Sequence, residues 1–348
     1  MQAKLGIDIG GANLLAAALG QGILMREPSA IAQDRETGRV LAVGLAAEQR
    51  LGQGGQSVAL SRPFTNGLTA VPHVTQAVLA SCILTAGGYP DKTDVLLSVP
   101  CDLTDDQEEQ LVGLACRAGA RTCRLVYAPL AAVAGSFMNL PQGCLAVDIG
   151  ATATHVMLLC RGRIYYMKSV PTGGQALDQA IADYMLRRRK VKINLRTAEQ
   201  VKIQIGTVWG PGAPPKEMNV SGKDTNGNPV TVKVSSTELY GPLETPISKI
   251  IEAVWLAVAK IPSEYVKSVF SVGIQLCGGG ALLDGLDKII SGVTGVATHR
   301  VDEPLSCTAL GLAEIMAALP EDIPPAYRNV SEIYIKQVYL SGRGEQNE

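Results

Sequence analysis

Leu5-Gly6-Ile7-Asp8-Ile9-Gly10-Gly11-Ala12-Asn13 returns in the second half of the chain as Leu145-Ala146-Val147-Asp148-Ile149-Gly150-Ala151-Thr152-Ala153. Each copy contains an apolar run, one aspartate and a turn of small residues, and a second apolar run follows. Glycine in such a turn allows the backbone to approach a ligand closely. The repeat therefore predicts a duplicated fold with a cleft between its halves, where backbone N–H groups of both halves face the same anion.

Composition limits the classes of protein that the chain can belong to. Its 348 residues suit two domains better than one core, and 47% of them are hydrophobic. A net charge of −1 argues against a nucleic-acid surface. The eight cysteines show no C-x-x-C spacing, which favours free thiols in a reducing, cytoplasmic compartment. We expect neither a signal peptide, since only four residues precede the first strand, nor a membrane span.

The order of predicted elements is β-β-β-α-β-α, and it occurs twice, which indicates an α/β fold. Thr104 with the acidic residues after it predicts a helix start, and Asn226-Gly227 predicts a hairpin. Gly278-Gly279-Gly280 is expected to open a helix near Ala281. From Glu321 onward we expect a loosely held tail with one strand-like piece, 333–340.

The two aspartates are the first candidate functional residues. An aspartate inside an apolar strand costs several kcal/mol if it is buried without a partner. Asp8 and Asp148 at matching places suggest a shared role, in which they hold a hydrated divalent cation or orient water beside a phosphate chain. The alternative is that each aspartate only caps its own turn.

Three other groups of residues have ordinary structural interpretations. Glu199 and Lys202 lie at i and i+3 of a predicted helix, where a surface ion pair is the default. The basic run 187–190 suits a solvated helix end better than a nucleic-acid patch. His155 follows the second turn and could face a nucleotide, but we expect it to point to the other side of its strand.

The ordered motifs over about residues 4–318 resemble the actin superfamily and, within it, the bacterial MreB family. The first turn resembles that family's G-I-D-L-G-T-A-N loop, and Val147-Asp148-Ile149-Gly150 resembles its second phosphate loop. The other matching segments are Arg26-Glu27-Pro28-Ser29, 170–178 with Gly173-Gly174 and Asp178, 196–206, Gly278-Gly279-Gly280-Ala281-Leu282-Leu283 and Asp302-Glu303-Pro304-Leu305.

The resemblance implies an actin-like ATPase fold with two duplicated, RNase H-like lobes and a nucleotide cleft between them. Lobe I would span 1–141 with an insertion at about 30–70, and lobe II would span 142–316 with an insertion at about 182–245. Residues 317–348 would return to lobe I and end in the tail. It also implies binding of ATP or ADP with Mg²⁺ and self-association into filaments that act as a scaffold for cell shape or intracellular organisation.

The same resemblance assigns roles to individual residues. Asp8 and Asp148 would hold the metal through water, and only these two and Thr154 are candidates for a catalytic role. The nucleotide-binding residues would be Gly10, Gly11, Ala12 and Asn13 in the first loop, Gly150, Ala151, Thr152 and Ala153 in the second, Glu199, Gln200, Val201 and Lys202 beside the adenosine, and Gly279, Gly280, Ala281 and Leu282 in the third.

The sequence departs from the family pattern where hydrolysis would occur. Ala128 stands where the family has a glutamate that orients the attacking water, and losing such a group costs about 100- to 10,000-fold in rate. The second loop has Ala151, Thr152 and Ala153 where the family has Gly, Gly and Thr. The first has Gly11 where the family has Thr. We therefore expect nucleotide binding with weak or absent hydrolysis, and a filament that is static or regulated by a partner.

Membrane attachment and polymerisation stay open at the level of sequence. The first residues are too few for an amphipathic anchor helix, and the loop 86–91 has one aromatic residue and little else apolar. Direct membrane binding is therefore uncertain, although a location at the inner membrane face with membrane-associated cell-shape or assembly partners would fit the family. One alternative is a non-polymerising actin-fold module in an assembly or reactivation complex. A sugar-kinase-like enzyme ranks last, because no motif supports it.

Overall fold

The structure of the protein is a computed structural model that describes residues 3–51, 57–65, 71–136, 143–210, 214–324 and 326–341. Its strands are β1 Ala3–Ile9, β2 Asn13–Ala18, β3 Gly22–Pro28, β4 Ile31–Asp34, β5 Val40–Val43, β6 Val58–Ser61, β7 Thr93–Val99, β8 Ala120–Tyr127, β9 Gly143–Ile149, β10 Thr154–Cys160, β11 Arg163–Val170, β12 Glu217–Lys223, β13 Pro229–Ser235, β14 Ile274–Cys277 and β15 Thr298–Arg300. Its α-helices are α1 Leu45–Leu51, α2 Pro72–Thr85, α3 Asp105–Arg117, α4 Ala128–Gly135, α5 Gly174–Arg189, α6 Leu195–Ile205, α7 Ser236–Val258, α8 Val266–Val272, α9 Leu286–Thr294, α10 Cys307–Ala318 and α11 Ser331–Ser341.

Two five-stranded sheets follow the same plan, so the repeat in sequence is a repeat in structure. The first has the order β3-β2-β1-β7-β8 and the second the order β11-β10-β9-β14-β15. In each sheet the first three strands form an antiparallel meander, and the last two join it in parallel. The carboxyl ends of β1 and β9 therefore occupy equivalent places, and the Asp-containing turns follow them.

Each sheet carries a smaller accessory unit. A three-stranded sheet, β5-β4-β6, follows β3 and packs with α1, and the hairpin β12-β13 follows α6. The hairpin confirms the turn predicted at Asn226-Gly227, since Gly227 has a φ of +87° that favours glycine. The helix start predicted at Thr104 is also confirmed, because its hydroxyl and the Gln107 side chain form a complete capping box.

Helices α4 and α10 join the two sheets through direct backbone contact. A Cβ added to Gly135 would lie 1.8 Å from the Cys307 carbonyl oxygen, and one added to Gly311 would lie 1.8 Å from that of Ala131. On its other side α10 packs on β1 and β2, whereas α4 packs on β9 and β10. The glycine contact therefore fixes how one sheet lies against the other.

The end of the chain differs from the sequence prediction. The piece 333–340 is the helix α11 and not a strand, because its apolar residues recur at helical spacing and Tyr334 and Ile335 are buried in a shared core with Leu130. The preceding segment is tied to β8: the Arg124 guanidinium donates to the carbonyl oxygen of Ile323 at 2.7 Å. The expectation of a loose tail is thus wrong for this stretch, while residues 342–348 lie outside the described residues.

Gly311→Ala tests the helix contact. Because the new methyl would overlap a backbone carbonyl, we expect it to lower the free energy of unfolding by about 2–3 kcal/mol or more. Gly292→Ala is the matched control, since Gly292 lies inside α9 and, outside that helix's backbone, no atom of the described residues lies within 4 Å of its added Cβ. That substitution should stabilise by about 0.5–1 kcal/mol. Equal effects of the two changes in urea titrations would contradict the close contact.

Candidate functional site

The two Asp-containing turns have the same backbone geometry. The Gly10 N–H donates to the Asn13 carbonyl oxygen at 2.9 Å, and the Gly150 N–H donates to that of Ala153 at 2.9 Å. Each bond closes the turn between the first two strands of its sheet. The first turn is further fixed by the Ser29 N–H, which donates to the Ala12 carbonyl oxygen at 2.8 Å.

Asp8 and Asp148 lie close enough for their charges to interact. Burial raises the pKa of Asp8, and a hydrogen bond from the Ser98 hydroxyl, at 2.5 Å, opposes that rise. Burial and then the charge of Asp8 raise the pKa of Asp148 to about 7. Two carboxylates that destabilise one another in this way would both gain from a shared cation.

The second turn directs two peptide groups outward although it lacks the family's glycines. The Gly150 and Ala151 carbonyl oxygens accept the Gly174 and Gln175 N–H groups of α5, at 2.9 and 2.8 Å. All described peptide bonds are trans, so the N–H groups of Ala151 and Thr152 point away from α5. None of the turn's non-glycine residues has a positive φ. The substitutions therefore leave a conformation in which the turn can donate to an anion.

The tips of the two turns touch. A Cβ added to Gly11 would lie 2.6 Å from Thr152 Cγ2, and it would lie 3.2 Å from the carbonyl oxygen of Phe64 in the segment that follows β6. Gly11 is buried, while Thr152 is half-buried. The structure thus brings residues of both predicted loops together.

The third glycine turn is different from the sequence prediction, although it lies at the expected place. Gly279–Leu282 form a four-residue 3-10 helix, and the α-helix α9 begins only at Leu286. Gly278 has a φ of +74°, and a Cβ there would lie 2.5 Å from Asp148 Oδ1. The chain therefore passes close to Asp148 at Gly278 and makes a 3-10 turn before the α-helix begins. Ala281 is buried and Leu282 is exposed.

Helix α6, which is predicted to lie beside the adenosine, is linked to the second turn through α5. Lys202 Nζ lies 2.7 Å from Asp178 Oδ1 and donates to the Gly174 carbonyl oxygen at 3.1 Å. The predicted surface ion pair between Glu199 and Lys202 is therefore wrong, since the Lys202 ammonium group pairs with the buried Asp178. Val201 is fully buried in the core, whereas Gln200 is exposed. Lys202 thus holds the start of α5, which in turn holds the second turn.

His155 lies on the same face as Asp148, so the expectation that it points away is wrong. The two residues are direct cross-strand partners in β9 and β10. His155 Nδ1 lies 3.0 Å from the Ser169 hydroxyl, and burial lowers its pKa to about 4, which keeps the imidazole neutral. Hairpin parity could have shown this, because a turn closed at Gly150–Ala153 pairs 148 with 155.

Two other positions that the sequence singled out, Thr154 and Ala128, are buried. The Thr154 hydroxyl is fully buried and donates to the Thr172 carbonyl oxygen at 2.7 Å. Ala128 is the first residue of α4 and is buried. Its methyl group has no hydrogen-bonding capacity, so this position cannot orient a water molecule.

A metal at this site would need ligands beyond the protein. Among the residues that the structure describes, no group of three or more His, Cys, Asp or Glu side chains is arranged to hold a metal ion. Mg²⁺ commonly binds one or two carboxylates together with phosphates and water. Asp8 and Asp148 fit that donor set. Within the same described ranges, no helix is long and apolar enough to cross a membrane.

Comparisons with known proteins agree on one family. A family model described as MreB/Mbl protein matches residues 2–322. The cell shape-determining protein Mbl of Bacillus cereus is 34% identical over 312 residues, which cover 88% of this chain and 93% of that protein. MreB of Escherichia coli is 34% identical over 317 residues, 88% of this chain and 91% of that protein. MreB5 of Spiroplasma citri bound to ADP superposes with a TM-score of 0.82 at 29% identity, covering 89% of this chain and 95% of that one.

The buried Asp148 predicts a pH dependence of stability. Its pKa is about 7 in the folded protein against 3.8 in an exposed aspartate, so the folded state holds the proton more tightly. Ionisation therefore removes stability as pH rises from about 4 to about 7. In EDTA and without nucleotide, Asp148→Asn should exceed the wild type in stability at pH 8 by an amount on the order of a few kcal/mol.

The difference between the wild type and Asp148→Asn isolates the effect of Asp148. This matters because His155, which both proteins contain, changes stability with pH in the opposite direction. Its folded pKa of about 4 lies below the usual 6.5, so its protonation removes stability as pH falls. Asp183→Asn on the exposed face of α5 is the control and should follow the wild-type profile. Parallel urea-unfolding profiles for the wild type and Asp148→Asn would show that Asp148 does not carry the raised pKa.

Proposed function

This chain belongs to the MreB/Mbl family, and we propose that it is a cytoskeletal scaffold that binds an adenine nucleotide between its two Asp-containing turns and assembles into filaments. Its fold is the actin-like α/β fold with two duplicated halves that the sequence predicts, and the superposition on MreB5 confirms it. The relatives named above are cell shape-determining proteins. A role in cell shape or intracellular organisation follows from that kinship.

The observation that carries nucleotide binding is the pairing of equivalent turns from the two sheets. Each turn is closed by an equivalent hydrogen bond, and the second turn directs the Ala151 and Thr152 N–H groups away from α5. In the S. citri structure MreB5 is bound to ADP. We propose that ATP or ADP occupies the corresponding cleft here, with its phosphates between Gly10–Asn13 and Gly150–Ala153.

The remaining assignments follow from this placement. Mg²⁺ would bind through water to Asp8 and Asp148 and to the phosphates, which offsets the repulsion between the two carboxylates. Glu199 and the turn Gly279–Leu282 would border the adenosine, whereas Lys202 would act by fixing α5. These residues bind and orient the nucleotide, and the metal when bound would neutralise phosphate charge.

The division into lobes is part of the same proposal. Residues 1–141 would form lobe I and 142–316 lobe II, and that boundary lies outside the described residues. The insertions at about 30–70 and 182–245 contain the two accessory units. The segment after 317 would return to lobe I, which is supported by the Val330 N–H bonded to the Leu125 carbonyl oxygen of β8 at 2.9 Å.

We further propose that the protein works in the cytoplasm, where self-association supplies its main partner. All eight cysteines are free, and six of them are buried, as expected in a reducing compartment. A position at the inner membrane face with membrane-associated cell-shape partners is consistent with the family.

Filament formation is tested by electron microscopy and sedimentation of the purified protein with Mg-ATP, Mg-ADP or no nucleotide. We expect nucleotide-dependent filaments for the wild type, and loss of that dependence in Gly150→Val, which places a branched side chain beside the Ala153 carbonyl oxygen. Gly210→Val is the control, because no atom of the described residues other than its chain neighbours lies within 4 Å of its added Cβ. A protein that binds nucleotide but stays monomeric under all three conditions would instead be a non-polymerising actin-fold module.

Hydrolysis is expected to be slow because Ala128 cannot position water. A phosphate-release assay should give a rate about 100-fold or more below that of a family member with the glutamate, compared under one set of conditions. Turnover equal to that of the active relative, and lost in Asp148→Asn, would contradict a weak or absent ATPase activity.

A further inference from the structure

The two turns differ from the family pattern at two positions that meet in the structure. Position 11 holds glycine where the resembled first loop has threonine, and position 152 holds threonine where the second loop has glycine. A Cβ added to Gly11 would lie 2.6 Å from Thr152 Cγ2 and 2.9 Å from Thr152 Oγ1. The Thr152 side chain therefore fills, from the opposite turn, the volume that a side chain at position 11 would need.

This contact leaves little room for a group between the tips. A phosphoryl oxygen accepts a hydrogen bond from a backbone N–H at about 2.9 Å, so a phosphoryl group between two backbones keeps them well apart. Here the tips are already in van der Waals contact through Thr152, and the Phe64 carbonyl oxygen lies beside the same Cβ position of Gly11. A phosphoryl group could enter between the two tips only by displacing the Thr152 side chain.

Other side-chain contacts also join segments of the two halves. Glu48 of α1, which packs on the first accessory sheet, lies 3.6 Å from Arg196 of α6, the helix that precedes the second accessory unit. The Arg26 guanidinium on β3 donates to the Ser306 hydroxyl, just before α10, at 2.5 Å. Each contact is weak by itself where it is exposed.

We propose that Thr152 sets the length of phosphate chain that the cleft accepts, so that a nucleoside diphosphate binds more tightly than a triphosphate. This inference rests on the proposed function and deepens it. The departure at Ala128 agrees with it, because a cleft that favours the diphosphate has little use for a group that orients water toward a terminal phosphate. The first two phosphates lie along the turns, and the third competes with the Thr152 side chain.

Affinity measurements on three proteins test the inference. The dissociation constants of ADP and of a non-hydrolysable ATP analogue are measured with Mg²⁺ for the wild type, Thr152→Gly and Thr152→Val. Valine keeps the shape of threonine and lacks only the hydroxyl, so it is the matched control. We expect the wild type and Thr152→Val to favour ADP by about tenfold or more, and Thr152→Gly to lose that preference by gaining affinity for the triphosphate.

The outcomes separate this inference from the proposed function. Equal ADP-to-triphosphate ratios in the wild type and Thr152→Gly, or a wild type that favours the triphosphate, would overturn the role of Thr152 while leaving nucleotide binding intact. Failure of the folded wild type to bind either nucleotide would overturn the proposed function and this inference with it. If circular dichroism shows that Thr152→Gly is unfolded, Thr152→Ser removes only the methyl group and should shift the ratio in the same direction.

Discussion

The backbone contact between α4 and α10 is the constraint on which the site depends. Helix α4 directly follows the last strand of the first sheet but packs on the second, and α10 follows the last strand of the second sheet but packs on the first. Glycine at positions 135 and 311 lets the two backbones touch. Because this contact packs the two sheets against each other, the carboxyl ends of β1 and β9 face each other and bring Asp8 and Asp148 together.

That arrangement places unfavourable charge in the interior. Burial raises the pKa of both Asp8 and Asp148, the charge of Asp8 raises that of Asp148 further, and the neutral imidazole of His155 supplies no positive charge. A fold of marginal stability tolerates such a cluster where a ligand offsets it. Binding of nucleotide and cation in the cleft is therefore expected to raise the free energy of unfolding of the protein.

Local patterns in the sequence were enough to predict much of the fold. The repeated turn, the capping box at Thr104 and the Asn226-Gly227 hairpin each depend on residues close together in the chain, and all three are confirmed. The piece 333–340 is rich in branched and aromatic residues that favour strands, but its apolar residues also recur at helical spacing, and the burial of Tyr334 and Ile335 in a shared core favours the helix. The repeat also predicted that the two turns lie together, but the individual side-chain contacts between distant segments could not be predicted from local patterns. Neither the Lys202–Asp178 pair nor the meeting of Gly11 with Thr152 has a signal in either local sequence.

The most direct measurement is a crystal structure of the protein grown with Mg-ADP. We expect density for the nucleotide between the two Asp-containing turns, with its phosphates within hydrogen-bond distance of the Ala151 and Thr152 N–H groups and the cation near Asp8 and Asp148. Nucleotide bound elsewhere, or a saturating concentration that leaves the space between the turns without nucleotide density, would contradict the assignment of this cleft.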